Sequence, residues 1–256
     1  MHSVVCIKSV VRSAPGGIAQ RSPENSDLNP FDRPAIEAAL QLKSAYGGMI
    51  TLLSMGPPVA SAALAEGMAM GADRAVLICD RALAGSDTLI TSDVLAAAVH
   101  RLAPFDFLFF GVRSMDSDTG QVGPQTAARL ALPFVSGVKA LEREQTAWRL
   151  RRIMDDWEEM WQVTPPAAAT IHARAFRPRP VSLTGIGRTY ARPQIETWEL
   201  KDLDLAPTQV GLGGSPTRVA ALTAVDRNRR CRMLAGEPRE QVEALLAHLN
   251  ERGLLE

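Results

Sequence analysis

The chemistry in this chain concentrates in GVRSMDSDTGQVGPQTAARL, residues 111–130, which follows directly on the apolar run FDFLFF. Thr119, Gly120, Gln121, Val122 and Gly123 form a short polar, glycine-bearing loop, and Pro124 is placed to begin a helix. Glycines let a backbone approach a ligand closely, and consecutive exposed amides at a helix start make a nest for phosphate oxygens. Asp116 and Asp118 suit the neighbourhood of a phosphate poorly, so their expected role is to hold the loop by accepting its own N–H groups. A second loop, NPFD at 29–32, precedes the first helical pattern and falls at the same edge of the sheet described below. The simpler alternatives stay open at this point. The first loop can be an elaborate strand-to-helix turn, and Asn29 can be the start of an Asx turn before proline.

Those loops need strands and helices to position them. SVVCIKSV (3–10), MITLLS (49–54), RAVLICD (74–80) and FDFLFFG (105–111) read as continuously apolar strands, and helical patterns alternate with them. For the first helix, Asp32 is the expected N-cap, Pro34 sits in the first turn and Gly47-Gly48 ends it. A second helix closes at Gly71, and a third runs through SDTLITSDVLAAAVHRLA. Alternating strands and helices with buried strands predict an α/β, doubly wound, mostly parallel, Rossmann-like sheet. From about residue 134 the pattern shortens to charged hairpins that predict an antiparallel extension at one edge, all within a first domain spanning 1–175. The tryptophans at 148, 157 and 161 are expected to pack on the sheet face. Residues 176–207 carry four prolines and read as a long surface loop and linker. Residues 208–256 read as an arm ending in a helix, with Val242, Leu245, Leu246 and Leu249 on one face in need of a surface to cover them.

Composition narrows the functions available. At 46% hydrophobic over 256 residues the chain can bury a substantial core. Lys+Arg and Asp+Glu are both 28, and no basic run exceeds RNRR (227–230), which argues against nucleic acid as a partner. Cys6, Cys79 and Cys231 are odd in number, far apart and without CxxC spacing, as expected of reduced thiols in a cytoplasmic protein. The sequence contains no 18-residue apolar span, the start MHSVVCIKSV is too polar for a signal peptide, and the four histidines are isolated. No membrane insertion and no metal site are expected.

NPFD followed by EAALQLK, AMGADRAVLI, DTGQVGPQTAARL and GGSPTRV stand in the order and spacing of the electron transfer flavoprotein β subunit family, which the chain resembles essentially end to end. The resemblance implies an adenine nucleotide α-hydrolase-like fold and a heterodimer with an electron transfer flavoprotein α subunit that holds most of the FAD. It also implies AMP or a second FAD in this chain. By position, the implied nucleotide pocket falls on Cys6; on Asn29, Pro30, Phe31 and Asp32; on Met55; and on Gly111, Val112, Arg113, Asp116, Asp118, Thr119, Gly120, Gln121, Val122 and Gly123. The backbone at 119–122 would hold the phosphate. PRPVSLTGIGRTYAR resembles the family's recognition loop, with Leu183 at the position that anchors partner dehydrogenases. Arg188, Tyr190 and Arg192 replace the usual lysine-rich continuation, and the stretch between Val10 and Asn29 is short and lacks the usual Pro-Asp.

The resemblance implies an electron carrier rather than an enzyme in its own right, passing electrons between dehydrogenases and an acceptor. An alternative is a flavin-bifurcating relative whose β-bound FAD takes a hydride from NADH, a branch that QVGPQ resembles. An ATP-hydrolysing enzyme of related fold would need a pyrophosphate loop such as SGGxDS after the first strand; RSAPGG has the glycines without the ordered Ser and Asp.

Overall fold

A computed structural model describes residues 1–11, 22, 25–191, 194–221 and 231–255. The RSAPGG and RNRR stretches and Arg192 lie outside the described residues. The chain divides into two compact units, Met1–Ala220 and Ala221–Glu256.

The first unit is built on a nine-stranded sheet. In chain order its strands are β1 (His2–Cys6), β4 (Met49–Met55), β5 (Arg74–Ile78), β6 (Phe107–Gly111), β7 (Phe134–Glu144), β8 (Ala147–Met154), β9 (Trp157–Val163), β10 (Ala167–Ile171) and β11 (Ile195–Trp198), while β2 (Ser9–Val11) and β3 (Ser26–Leu28) form a separate antiparallel ribbon. The spatial order is β11-β5-β4-β1-β6-β10-β7-β8-β9. Every pairing from β11 across to β7 is parallel; β7 with β8 and β8 with β9 are antiparallel.

Strand side chains alternate between two cores, as the pleat requires. Val5, Leu52, Leu77, Phe107 and Phe109 face a core shared with helices α1 (Arg33–Tyr46) and α2 (Ser61–Met70). Val4, Cys6, Leu53, Val76 and Phe110 face one shared with α3 (Thr88–Arg101) and α4 (Val122–Arg129). The expected mixed α/β architecture, a mostly parallel sheet covered on both faces, is therefore the one observed.

Four local expectations are corrected. The first strand does not run to Val10, because at Lys8 the backbone leaves the ladder: its N–H goes to the Asp32 carboxylate at 2.7 Å and its carbonyl accepts the Asn29 amide at 2.9 Å. The region after residue 134 is not wholly antiparallel, since β10 returns to lie parallel between β6 and β7. Residues 176–207 are not one long loop: they hold α5 (Leu183–Ala191) and the edge strand β11. Gly185 lets α5 sit against α2, where a Cβ would stand 2.2 Å from the Ala69 carbonyl, and Trp198 is buried between Arg74 and Arg101. Trp148 packs in the core against Phe107, but Trp157 and Trp161 are exposed, because β8 and β9 run beyond the last helix that could cover them.

The second unit contains α7 (Pro238–Glu251), started by a reciprocal Glu237/Glu240 capping box with proline in the first turn. Val242, Leu245 and Leu246 are exposed. A further short helix, α6 (Gly211–Gly214), belongs to the first unit. Among the described residues no helix is long and apolar enough to cross a membrane.

Candidate functional site

The loops leaving the carboxyl ends of β1, β4, β5 and β6 surround a crevice of about 1180 Å³. This is the edge where open α/β sheets bind ligands. Its frame is a buried polar cluster centred on Asp32. One carboxylate oxygen accepts the Lys8 amide at 2.7 Å, the other accepts Asn29 Nδ2 at 2.9 Å, and the Gly111 amide adds a further bond. Asn29 spans the gap: its Nδ2 also donates to the Arg113 carbonyl and its Oδ1 accepts the Met115 amide. Gly111 is required where β6 meets this cluster, because a Cβ there would stand 2.3 Å from Asp32 Oδ1 and 2.6 Å from the Phe31 carbonyl.

Asp32 was expected to cap α1 and does not. Its side chain makes no cap hydrogen bond and is turned instead onto Lys8 and Asn29. Burial pushes its carboxyl up to about 7, against the lowering effect of those donors. Burial, with the nearby Asp32 charge, also raises the Cys6 thiol far above its ordinary range, so Cys6 lines the crevice as a neutral group.

The two loop aspartates act at the mouth. Asp116 accepts Lys8 Nζ at 2.7 Å and the Ser117 amide at 2.8 Å. Burial alone would raise its carboxyl, but the Lys8 hydrogen bond and charge outweigh that and hold it below the usual range. Asp118 pairs with Arg113 at 3.2 Å, and Arg113 lies over the Phe31 ring. Neither aspartate lines the crevice, and neither do Pro30 and Phe31.

The remaining residues expected in the pocket are brought together: Cys6, Asn29, Asp32, Met55, Gly111, Val112, Arg113, Thr119, Gly120, Gln121, Val122 and Gly123 all line one cavity. Gly120 takes φ 63°, a conformation natural to glycine, and the loop then enters α4. Among the described residues the amides of Thr119, Gly120, Gln121, Val122 and Gly123 donate to no protein acceptor. Gln121 Oε1 accepts Thr88 Oγ1 at 3.1 Å, tying this loop to the start of α3. Consecutive unsatisfied amides around a crevice can hold an anion.

A whole wall of the crevice was missed in the sequence. It is formed by the loop from Cys79 to Thr88 after β5 and by Pro216, Thr217 and Val219. The first was available by the same rule that marked 111–123, since CDRALAGSD leaves a strand at the same sheet edge. The second lies within GGSPTRV, which carried only family resemblance. Leu183 is far from this chemistry in kind: it is 88% exposed at the first turn of α5.

The electron transfer flavoprotein domain model matches residues 17–203. The chain belongs to the electron transfer flavoprotein family. It is 40% identical over 225 residues to the electron transfer flavoprotein subunit beta of Clostridium acetobutylicum, covering 86% of each chain. It is 36% identical over 267 residues to the acryloyl-CoA reductase electron transfer subunit gamma of Anaerotignum propionicum, covering 100% of both. Protein FixA of Azotobacter vinelandii is 34% identical over 266 residues, covering 97% of this chain and 94% of that one. Within the electron transfer flavoproteins the chain is thus a β-type, electron-transferring subunit, and the family associates it with flavin.

Proposed function

We propose that the chain pairs with an electron transfer flavoprotein α subunit and carries electrons as half of that heterodimer, with an adenine nucleotide, AMP or FAD, in the crevice of its first unit. The observation that carries the nucleotide assignment is the run of five amides at 119–123 with no protein acceptor among the described residues, lining a cavity framed by the Asp32 cluster. The pairing of Asp116 with Lys8 and of Asp118 with Arg113 supports it by keeping both carboxylates occupied outside the crevice. The arrangement is that of an adenine nucleotide α-hydrolase-like fold used for retention. The chain contributes binding and positioning, while a flavin, when bound, supplies the electron storage. The main FAD lies with the α subunit.

In this reading Leu183 on α5 docks partner dehydrogenases or the acceptor, and Val242, Leu245, Leu246 and Leu249 of α7 cover themselves on the α subunit, in the cytoplasm. Burying four such side chains favours association by very roughly 6 to 12 kcal/mol before the entropic losses of binding.

A second reading is a bifurcating carrier whose crevice FAD accepts a hydride from NADH. The size of the crevice favours it, because about 1180 Å³ is at or beyond the upper end of ordinary ligand pockets, roughly 300 to 1000 Å³, and leaves room for a dinucleotide. Co-expression with the α subunit, followed by chromatography of the extracted nucleotides and flavin absorbance on the same sample, decides between them. One AMP and one FAD per heterodimer is the carrier; two FAD is the bifurcating form. A heterodimer with neither AMP nor a second FAD overturns the assignment of the crevice.

A further inference from the structure

The wall of the crevice beside β5 is made by a segment that lies far along the chain from the loops described above. Residues 210–219 lie directly on the loop after β5. Gly211, at φ 63°, approaches so closely that a Cβ would stand 2.0 Å from the Ala82 carbonyl. The contact is continued by hydrogen bonds: Gly211 N to Ser86 Oγ at 3.2 Å, Leu212 N to the Ala84 carbonyl at 2.9 Å, and Asp87 N to Ser215 Oγ at 2.9 Å. Ser215 is itself buried and donates to the Gly211 carbonyl at 2.7 Å.

Asp87 joins this segment to α3. Its Oδ1 caps the helix by accepting the Ile90 amide at 3.0 Å. Its Oδ2 accepts both the amide of Thr217, at 3.1 Å, and its hydroxyl, at 2.7 Å. Pro216, Thr217 and Val219 then line the crevice. The 119–123 loop offers the crevice donors, as an anion needs, and Leu83, Ala84, Pro216 and Val219 offer it small and apolar groups, which suit a ring system.

We propose that residues 210–219 form a strap that retains the ring end of the bound nucleotide, and that Thr217 and Asp87 are the positioning residues that fasten it. The inference rests on the nucleotide assignment above. The hydroxyl of Thr217 on the carboxylate of Asp87 is the side-chain tie nearest Val219, so loosening it should speed release while the phosphate loop keeps its own bonds. A hydrogen bond to an ionised carboxylate carries enough free energy to change a rate about tenfold.

The test uses the heterodimer with its α subunit. Thr217→Val removes the hydroxyl and keeps the amide donor and the helix cap; Thr217→Ser keeps all three. Two readouts are taken: release of the endogenous nucleotide, chased by excess unlabelled AMP or FAD, and hydrogen exchange of residues 211–217 in nucleotide-stripped protein. The strap predicts release about tenfold faster and faster exchange in Thr217→Val, with wild-type behaviour in Thr217→Ser. Nucleotide-loaded wild type with unchanged release in Thr217→Val overturns the strap and leaves the nucleotide assignment standing. Unchanged strap exchange in Thr217→Val overturns the fastening by Thr217 whatever the crevice holds. A wild-type heterodimer without a crevice nucleotide overturns the assignment on which the strap rests.

Discussion

The crevice and the outer face of α5 solve opposite problems. At the crevice, polar side chains are held inside: Asn29 is 1% exposed and Asp32 5%. Each can be there only because its hydrogen-bonding groups are taken by the other and by backbone at Lys8, Gly111, Arg113 and Met115. On α5 an apolar side chain is held outside, with Leu183 at the helix start and Tyr190 also exposed. A buried polar cluster is rigid because every member is needed by another member. A leucine as exposed as this contributes little to the packing of the described residues, so its value lies in what it meets. Damage to the first region should therefore appear as lost stability and lost ligand together, and damage to the second as lost partner exchange alone.

The largest effect should come from Gly111→Val, which forces a side chain into the 2.3 Å gap beside Asp32. About 3 kcal/mol of stability should be lost, read as a lower denaturant midpoint, together with most of the crevice nucleotide. Next is Arg179→Ala, a control outside the crevice whose partner, Glu37, is buried on α1. Arg179 Nε and Nη2 bond the carboxylate of Glu37, whose side chain is 5% exposed. Because the guanidinium is 41% exposed, the loss should be about 2 kcal/mol, below that for a fully buried pair.

That pair also gives a pH dependence. Burial raises the Glu37 carboxyl, but the bonds and charge of Arg179, with help from Gln41, outweigh this and lower it from 4.5. A lowered carboxyl stabilises the fold above its unfolded value and loses that contribution as pH falls through the folded one. Wild-type stability should therefore fall on acidification below about pH 4.5, and Arg179→Ala should show less of that particular fall. Equal slopes in the two proteins would remove Glu37 as the source.

Gly123→Val adds bulk at the start of α4, where a Cβ alone would stand 3.1 Å from Thr170 Cγ2 and 3.3 Å from Phe110 Cγ. If the crevice holds the nucleotide as proposed, its affinity should drop about tenfold or more while the flavin proposed for the α subunit stays, measured by extraction and absorbance of the same samples. Leu183→Ala should have the smallest effect on the chain itself, within about 0.5 kcal/mol in thermal unfolding. Transfer from partner dehydrogenases should nevertheless slow. A matching loss of stability and transfer would make Leu183 a packing residue and dissolve the contrast between the two regions.

The strands flanking the crevice were legible in the sequence because each is an unbroken apolar run, which only a sheet covered on both faces accommodates. The phosphate-loop candidate was legible because FDFLFF empties abruptly into DTGQVG. Spatial order was not: nothing local in AAATI says that β10 slips between β6 and β7, since that is decided by long-range pairing. IETW was overlooked as a strand because it is only four residues long and carries the charged Glu196, as suits the outermost position, where only one neighbour, β5, needs pairing. Asp32 matched the composition of an N-cap, yet the unpaired Lys8 amide and Asn29 claimed it first. Asp87 and Thr217 are 130 residues apart, so their bond had no local signature at all.

The central claim is that the amides of 119–123 hold a phosphate. Hydrogen exchange of a peptide covering those residues, compared between nucleotide-loaded and stripped heterodimer, measures it directly. The account predicts marked protection on loading, lost again in Gly123→Val. Identical exchange in loaded and stripped protein, with nucleotide demonstrably bound, would contradict it.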